Sequence, residues 1–102
     1  MTNQNFELPT NEKDLMTQYR YLTDNYDVTD YKKLSDVQLL ELVERTERIK
    51  SIFSKLREIK SPYSRNEDVL GSYRYFKNEN IKLETMAESK GLIELDYESY
   101  SW

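Results

Sequence analysis

Ser61-Pro62-Tyr63 is the one interior break between two long amphipathic stretches, 36–60 and 66–90, and the fold follows from it. Proline cannot donate an amide, and it biases the residue before it away from helical torsions, so a helix arriving at Ser61 has to stop. Two helices joined by so short a connection fold back on each other, and the spacing predicts an antiparallel helical hairpin.

Upstream of the break, Leu34-Ser35-Asp36-Val37-Gln38 carries the strongest local signal. Ser35 can accept from a first-turn amide while Gln38 reaches back to the Ser35 amide, which closes a capping box. Leu39, Leu42, Thr46, Ile49, Phe53 and Leu56 then recur three and four residues apart. Val43, Ile52 and Ile59 widen that stripe beyond a narrow seam, as expected of a helix packed between two others. Glu41 with Arg45, and Glu44 with Arg48, are spaced as surface pairs worth ~0.3 kcal/mol each.

Downstream, Ser64 or Asn66 can cap the second helix, with Glu67 and Asp68 in its first turn. Val69, Tyr73, Phe76, Asn80, Leu83 and Ala87 are its inward positions, joined by Leu70 and Met86. Gly91 is a natural left-handed terminator. Gly71 costs about 1 kcal/mol relative to Ala inside a helix, and it marks either a close helix crossing, the slightly preferred reading, or a weak point in the helix.

Before the hairpin, Leu15, Tyr19 and Leu22 recur at i, i+4 and i+7, with Met16 and Tyr26 beside them, predicting a short helix over 11–25. Thr10 or Asn11 can cap it. Residues 29–34 are expected to add one helical turn. Residues 1–10 lack periodicity and end in Leu8-Pro9-Thr10, which predicts an extended arm. Residues 92–102 alternate apolar and acidic side chains through Tyr97 and then close on aromatics, which predicts an extended tail. The whole is an all-α chain: a helical domain over 11–91, with helices near 11–25, 36–60 and 66–90, between two arms.

Of the 102 residues, 37% are hydrophobic and 33% charged, which is lean for a globular chain but richer than disordered compositions. The net charge of −4 is unevenly spread. Residues 1–44 hold 4 basic and 9 acidic side chains, residues 45–83 hold 10 and 5, and residues 84–102 hold 1 and 5. A basic middle therefore lies between acidic ends. The start is polar apart from Phe6, without the basic and apolar regions of a secretory signal, and no apolar run approaches the roughly 20 residues of a membrane helix. The expected location is the cytoplasm, or a virion.

The absence of His and Cys removes the commonest general base, thiolate nucleophiles and zinc-thiolate sites together. Asp24 with Asp27, and Glu67 with Asp68, are better placed as turn and cap residues than as cation ligands, and no EF-hand spacing surrounds them. No enzyme activity, cofactor or metal is expected. The nine Tyr residues are the distinctive feature. Tyr19, Tyr26 and Tyr73 should border the core with their hydroxyls in water. Aromatic side chains anchor many interfaces, so the tail residues Leu92, Ile93, Leu95, Tyr97, Tyr100 and Trp102 are the expected partner-binding set. Arg45, Arg48, Lys50, Lys55, Arg57, Lys60 and Arg65 form a candidate basic surface for nucleic acid, with a solvated helix flank as the preferred reading.

The size, the Tyr, Asn and Lys usage and the lack of His and Cys are similar to small proteins of bacteriophages that infect low-GC hosts. Two helices around Ser61-Pro62, with Asn80-Ile81-Lys82-Leu83 late in the second, resemble the hairpin of tailed-phage small terminase subunits over about half the chain. That resemblance implies a nucleic-acid packaging adaptor. The residues themselves favour a non-enzymatic assembly or adaptor protein working through protein contacts or self-association, and a further expectation is an inhibitor docking its acidic-aromatic tail on a host protein.

Overall fold

The structure, a computed structural model, describes residues 8–93. The described chain is all-helical, with three α-helices: α1 Glu12–Thr23, α2 Asp36–Glu58 and α3 Glu67–Ser89. Single 3-10 turns, Tyr31–Lys33 and Pro62–Arg65, precede α2 and α3. Residues 1–7 and 94–102, which hold most of both expected arms, lie outside the described residues.

Each helix begins where a side chain can satisfy free amides. The Asn11 side chain accepts from the Asp14 amide at the start of α1, and Asn66 accepts from the Asp68 and Val69 amides at the start of α3. Ser35 and Gln38 form the reciprocal capping box of α2. The added turn expected over 29–34 is the 3-10 turn capped by Asp30.

The ends of α2 and α3 share one solution. Lys60 has φ 59°, Ser61 N–H donates to Leu56 C=O, and Lys60 N–H donates to Arg57 C=O. At α3, Gly91 has φ 73°, Leu92 N–H donates to Ala87 C=O, and Gly91 N–H donates to Glu88 C=O. Both are Schellman motifs. The sequence foresaw Gly91 but not Lys60. α2 ends at Glu58, Lys60 takes the left-handed torsion, and Ser61 takes the extended torsion that a following proline favours.

Tertiary pairs run in opposite senses along the helices. Asp36 of α2 pairs with Lys90 just past α3, Thr46 with Asn80, and Phe53 with Tyr73. Along the other flank, Arg45 meets Leu22, Arg48 meets Gln18, and Ser61 meets Glu12 at the start of α1. The larger apolar cluster gathers Leu15, Met16 and Tyr19 of α1, Ile49, Ile52, Phe53 and Leu56 of α2, and Phe76 of α3. A smaller one joins Leu39 to Leu83 and Ala87, with Leu92 and Ile93 packed against it. Between the two, α2 contributes Thr46 and α3 contributes Asn80, both fully buried.

Of the two readings of Gly71, the structure favours the weak point over the close crossing. A Cβ added there would meet nothing within 4 Å, so no close crossing requires it.

Candidate functional site

Two polar nodes lie against the core, and both join residues distant in sequence. At the first, Asn80 Nδ2 donates to Thr46 Oγ1 at 3.0 Å, and Lys50 Nζ donates to Asn80 Oδ1 at 3.1 Å. Thr46 Oγ1 in turn donates to the Leu42 carbonyl at 2.8 Å. Every member has a partner, which is what makes a buried polar group tolerable.

The second node centres on Glu79, a carboxylate only 6% exposed. Its Oε1 accepts from the hydroxyls of Tyr26, at 2.9 Å, and Tyr31. Lys82 Nζ stands 3.9 Å from Oε2 and 4.5 Å from the Tyr31 ring centre. Burial first, and then the hydrogen bond to the Glu79 carboxylate, push both phenols well above their ordinary range. Tyr26 also meets Phe76 edge-on, with centroids 4.9 Å apart, and carries the Arg45 guanidinium 5.6 Å above its ring. The node therefore pins the segment between α1 and α2 onto α3.

The tyrosine hydroxyls expected in water are thus bonded at Tyr19 and Tyr26. Tyr19 donates to Ser72 Oγ at 3.0 Å, and its ring is buried. Tyr73 stacks on Phe53 with centroids 4.0 Å apart. The sequence reading marked neither Glu79 as buried nor Tyr31, placed only in the turn over 29–34, as its partner. Glu79 lies between the inward positions Phe76 and Asn80, and that adjacency was the available signal.

The candidate basic residues do not converge on one face. Arg45 Nε and Nη2 donate to the carbonyls of Leu22 and Asp24, at 2.6 and 2.7 Å, capping the C-terminal end of α1. Arg48 Nη2 donates to Gln18 Oε1 on the same side, whereas Lys50 turns to Asn80 of α3. Lys55 pairs with Glu58 at 3.2 Å, and Arg57 lies over the Phe53 ring. Lys60 and Arg65 are exposed at the connection between α2 and α3. Of the tail set, Leu92 and Ile93 are half-buried against the Leu39, Leu83 and Ala87 cluster; Leu95, Tyr97, Tyr100 and Trp102 lie outside the described residues.

A groove of about 760 Å³ opens between α1 and α2. Leu8, Tyr21 and Leu22 supply apolar walls, and Glu41, Glu44 and Glu47 line the α2 side. Among the described residues no group of three or more His, Cys, Asp or Glu side chains is placed to hold a metal ion, and no helix is long and apolar enough to cross a membrane. Compared with protein-family models, with curated proteins and with solved structures, the chain matches none.

Proposed function

We propose that the chain is a non-enzymatic helical assembly or adaptor protein, in which an α2–α3 hairpin is the rigid body and the acidic-aromatic segment following it grips a protein partner. The observation that carries this reading is the anchoring of Leu92. The Schellman motif at Gly91 fixes its amide, and its side chain packs on the Leu39, Leu83 and Ala87 cluster. The tail thus departs from a fixed point on the helices, and Leu95, Tyr97, Tyr100 and Trp102 follow within ten residues of Leu92. Launching an aromatic segment from a rigid element lowers the ordering cost of binding.

The division of Arg45, Arg48 and Lys50 between the α1 and α3 flanks of α2 weighs against a phosphate-binding surface. A phage structural or accessory role accords with the composition and belongs to the same reading.

Truncation after Ile93 keeps the anchored residues and removes the rest of the tail. The full chain should retain its partner in affinity capture followed by mass spectrometry, and the truncated chain and the Tyr100→Ala/Trp102→Ala variant should lose it. Equal recovery by all three refutes the tail as the gripping element. Sedimentation of the same proteins at low and high salt separates self-association from a foreign partner, because a tail seated on a second copy would be released by salt.

A further inference from the structure

The groove between α1 and α2 has a character distinct from the tail. Its apolar walls are Leu22, the half-buried Leu8 and Tyr21, whose side chain is 78% exposed. Val37, Tyr75 and Ile81 are the other large apolar side chains exposed among the described residues, and none of them lines this groove. Tyr21 therefore combines a large ring, a polar tip and a place beside a concavity, the combination that serves as an interface anchor.

Charge surrounds this apolar floor unevenly. Asp24 contributes from the end of α1, and Glu41, Glu44 and Glu47 stand in a row on α2, all four exposed. Their spacing of three residues sets the three glutamates over roughly 9 Å of α2, winding about 120° around the helix from Glu41 to Glu47. Arg45 and Arg48 also line the groove, but Arg45 points its guanidinium into the Leu22 and Asp24 carbonyls and Arg48 donates to Gln18. Glu41 and Glu44 line the rim, Glu47 also meets Lys50 Nζ at 3.9 Å, and Arg45 and Arg48 are drawn toward α1. An apolar trough bordered by a row of carboxylates is complementary to a helix bearing an apolar stripe flanked by Lys or Arg.

We infer that the α1–α2 groove is a docking site for a basic amphipathic helix of a partner protein, with Tyr21 and Leu22 meeting its apolar stripe and Glu41, Glu44 and Glu47 meeting its cations. The site lies on different residues from the tail and is tested separately from it. Binding weakens with salt because the rim is exposed.

The test uses the full chain, 15N-labelled, titrated with a synthetic Leu/Lys amphipathic peptide of about 14 residues, enough for a helix covering the α2 side of the groove. A Lys/Ser peptide of equal charge is the control. Amide shifts should concentrate at the groove residues of α1 and α2, and the Leu/Lys peptide should bind at least about tenfold more tightly than the control, a difference of about 1.4 kcal/mol. Glu41→Gln/Glu44→Gln/Glu47→Gln should weaken it by a similar factor, and Tyr21→Ala should weaken it several-fold. Glu67→Gln/Asp68→Asn, which alters exposed acids on α3, should leave it unchanged. All of these substitutions are at exposed positions, so the fold is retained.

Equal binding of the two peptides, or shifts spread over acidic residues throughout the chain, overturns the proposal. Groove shifts that grow with protein concentration in the absence of peptide would assign the site to a second copy instead. Shifts that arise on removing residues 1–7 would assign it to the chain's own start. Either result also overturns the assignment to a foreign helix.

Discussion

Glu79 shows what a single residue can contribute to this fold. Two phenols donate to one buried carboxylate oxygen, and hydrogen bonds to a charged group are worth ~1.5–3 kcal/mol each. Glu79→Ala removes the shared acceptor and leaves two hydroxyls to find water, so a loss of ~2–4 kcal/mol is expected in urea unfolding. Tyr31→Phe alone should cost about 1–2 kcal/mol. The double-mutant cycle of Tyr31→Phe with Glu79→Ala should return a coupling above ~0.5 kcal/mol, and additivity would mean that the bond contributes nothing to stability. The inward place of Asn80 was legible from its register with Phe76 and Leu83. That of Glu79 was not, because a carboxylate beside a stripe is ordinarily its solvated flank, and its burial becomes tolerable when Tyr26 and Tyr31 arrive from another segment and join Lys82 around it.

At the scale of the element, helix starts and stops were the most legible features, because caps act within about four residues of chain. The Ser35–Gln38 box and the Gly91 terminator were read directly. The Lys60 terminator was not, since lysine carries no left-handed preference that a sequence could reveal. Lys60→Gly should therefore stabilise the chain by about 1 kcal/mol, relieving the Cβ clash of the left-handed conformation. Gly71→Ala should do the same for a different reason. The helix interior gains a better former, and the new methyl meets only open space. Chemical denaturation of each variant measures both effects, and a destabilised Gly71→Ala would reveal a contact at that face. The surface pair expected between Glu41 and Arg45 gave way to the α1 cap. Two carbonyls at a helix end hold a guanidinium more firmly than one exposed carboxylate on the same helix.

For the whole molecule, the tyrosines set the response to alkali. Tyr26 and Tyr31, raised by burial and then by Glu79, lose their protons in the folded state only well above pH 10, whereas in the unfolded chain they lose them near 10. The folded state then binds more protons than the unfolded one, so their contribution is complete below pH 10 and declines as pH rises beyond it. The urea midpoint should hold level from pH 8 to about 9.5 and fall above 10, and Tyr26→Phe/Tyr31→Phe should flatten that fall. An unchanged slope in the double variant would disconnect the node from alkaline unfolding. The sequence by itself determined where the helices form, which faces they bury and where Pro62 interrupts them, because periodicity and capping are local interactions readable along the chain. The tertiary structure alone decided which polar groups are buried and what each one holds. Tyr26, Tyr31 and Thr46 meet their partners 53, 48 and 34 residues away, and nothing local in a sequence encodes a contact made only once separate helices have packed.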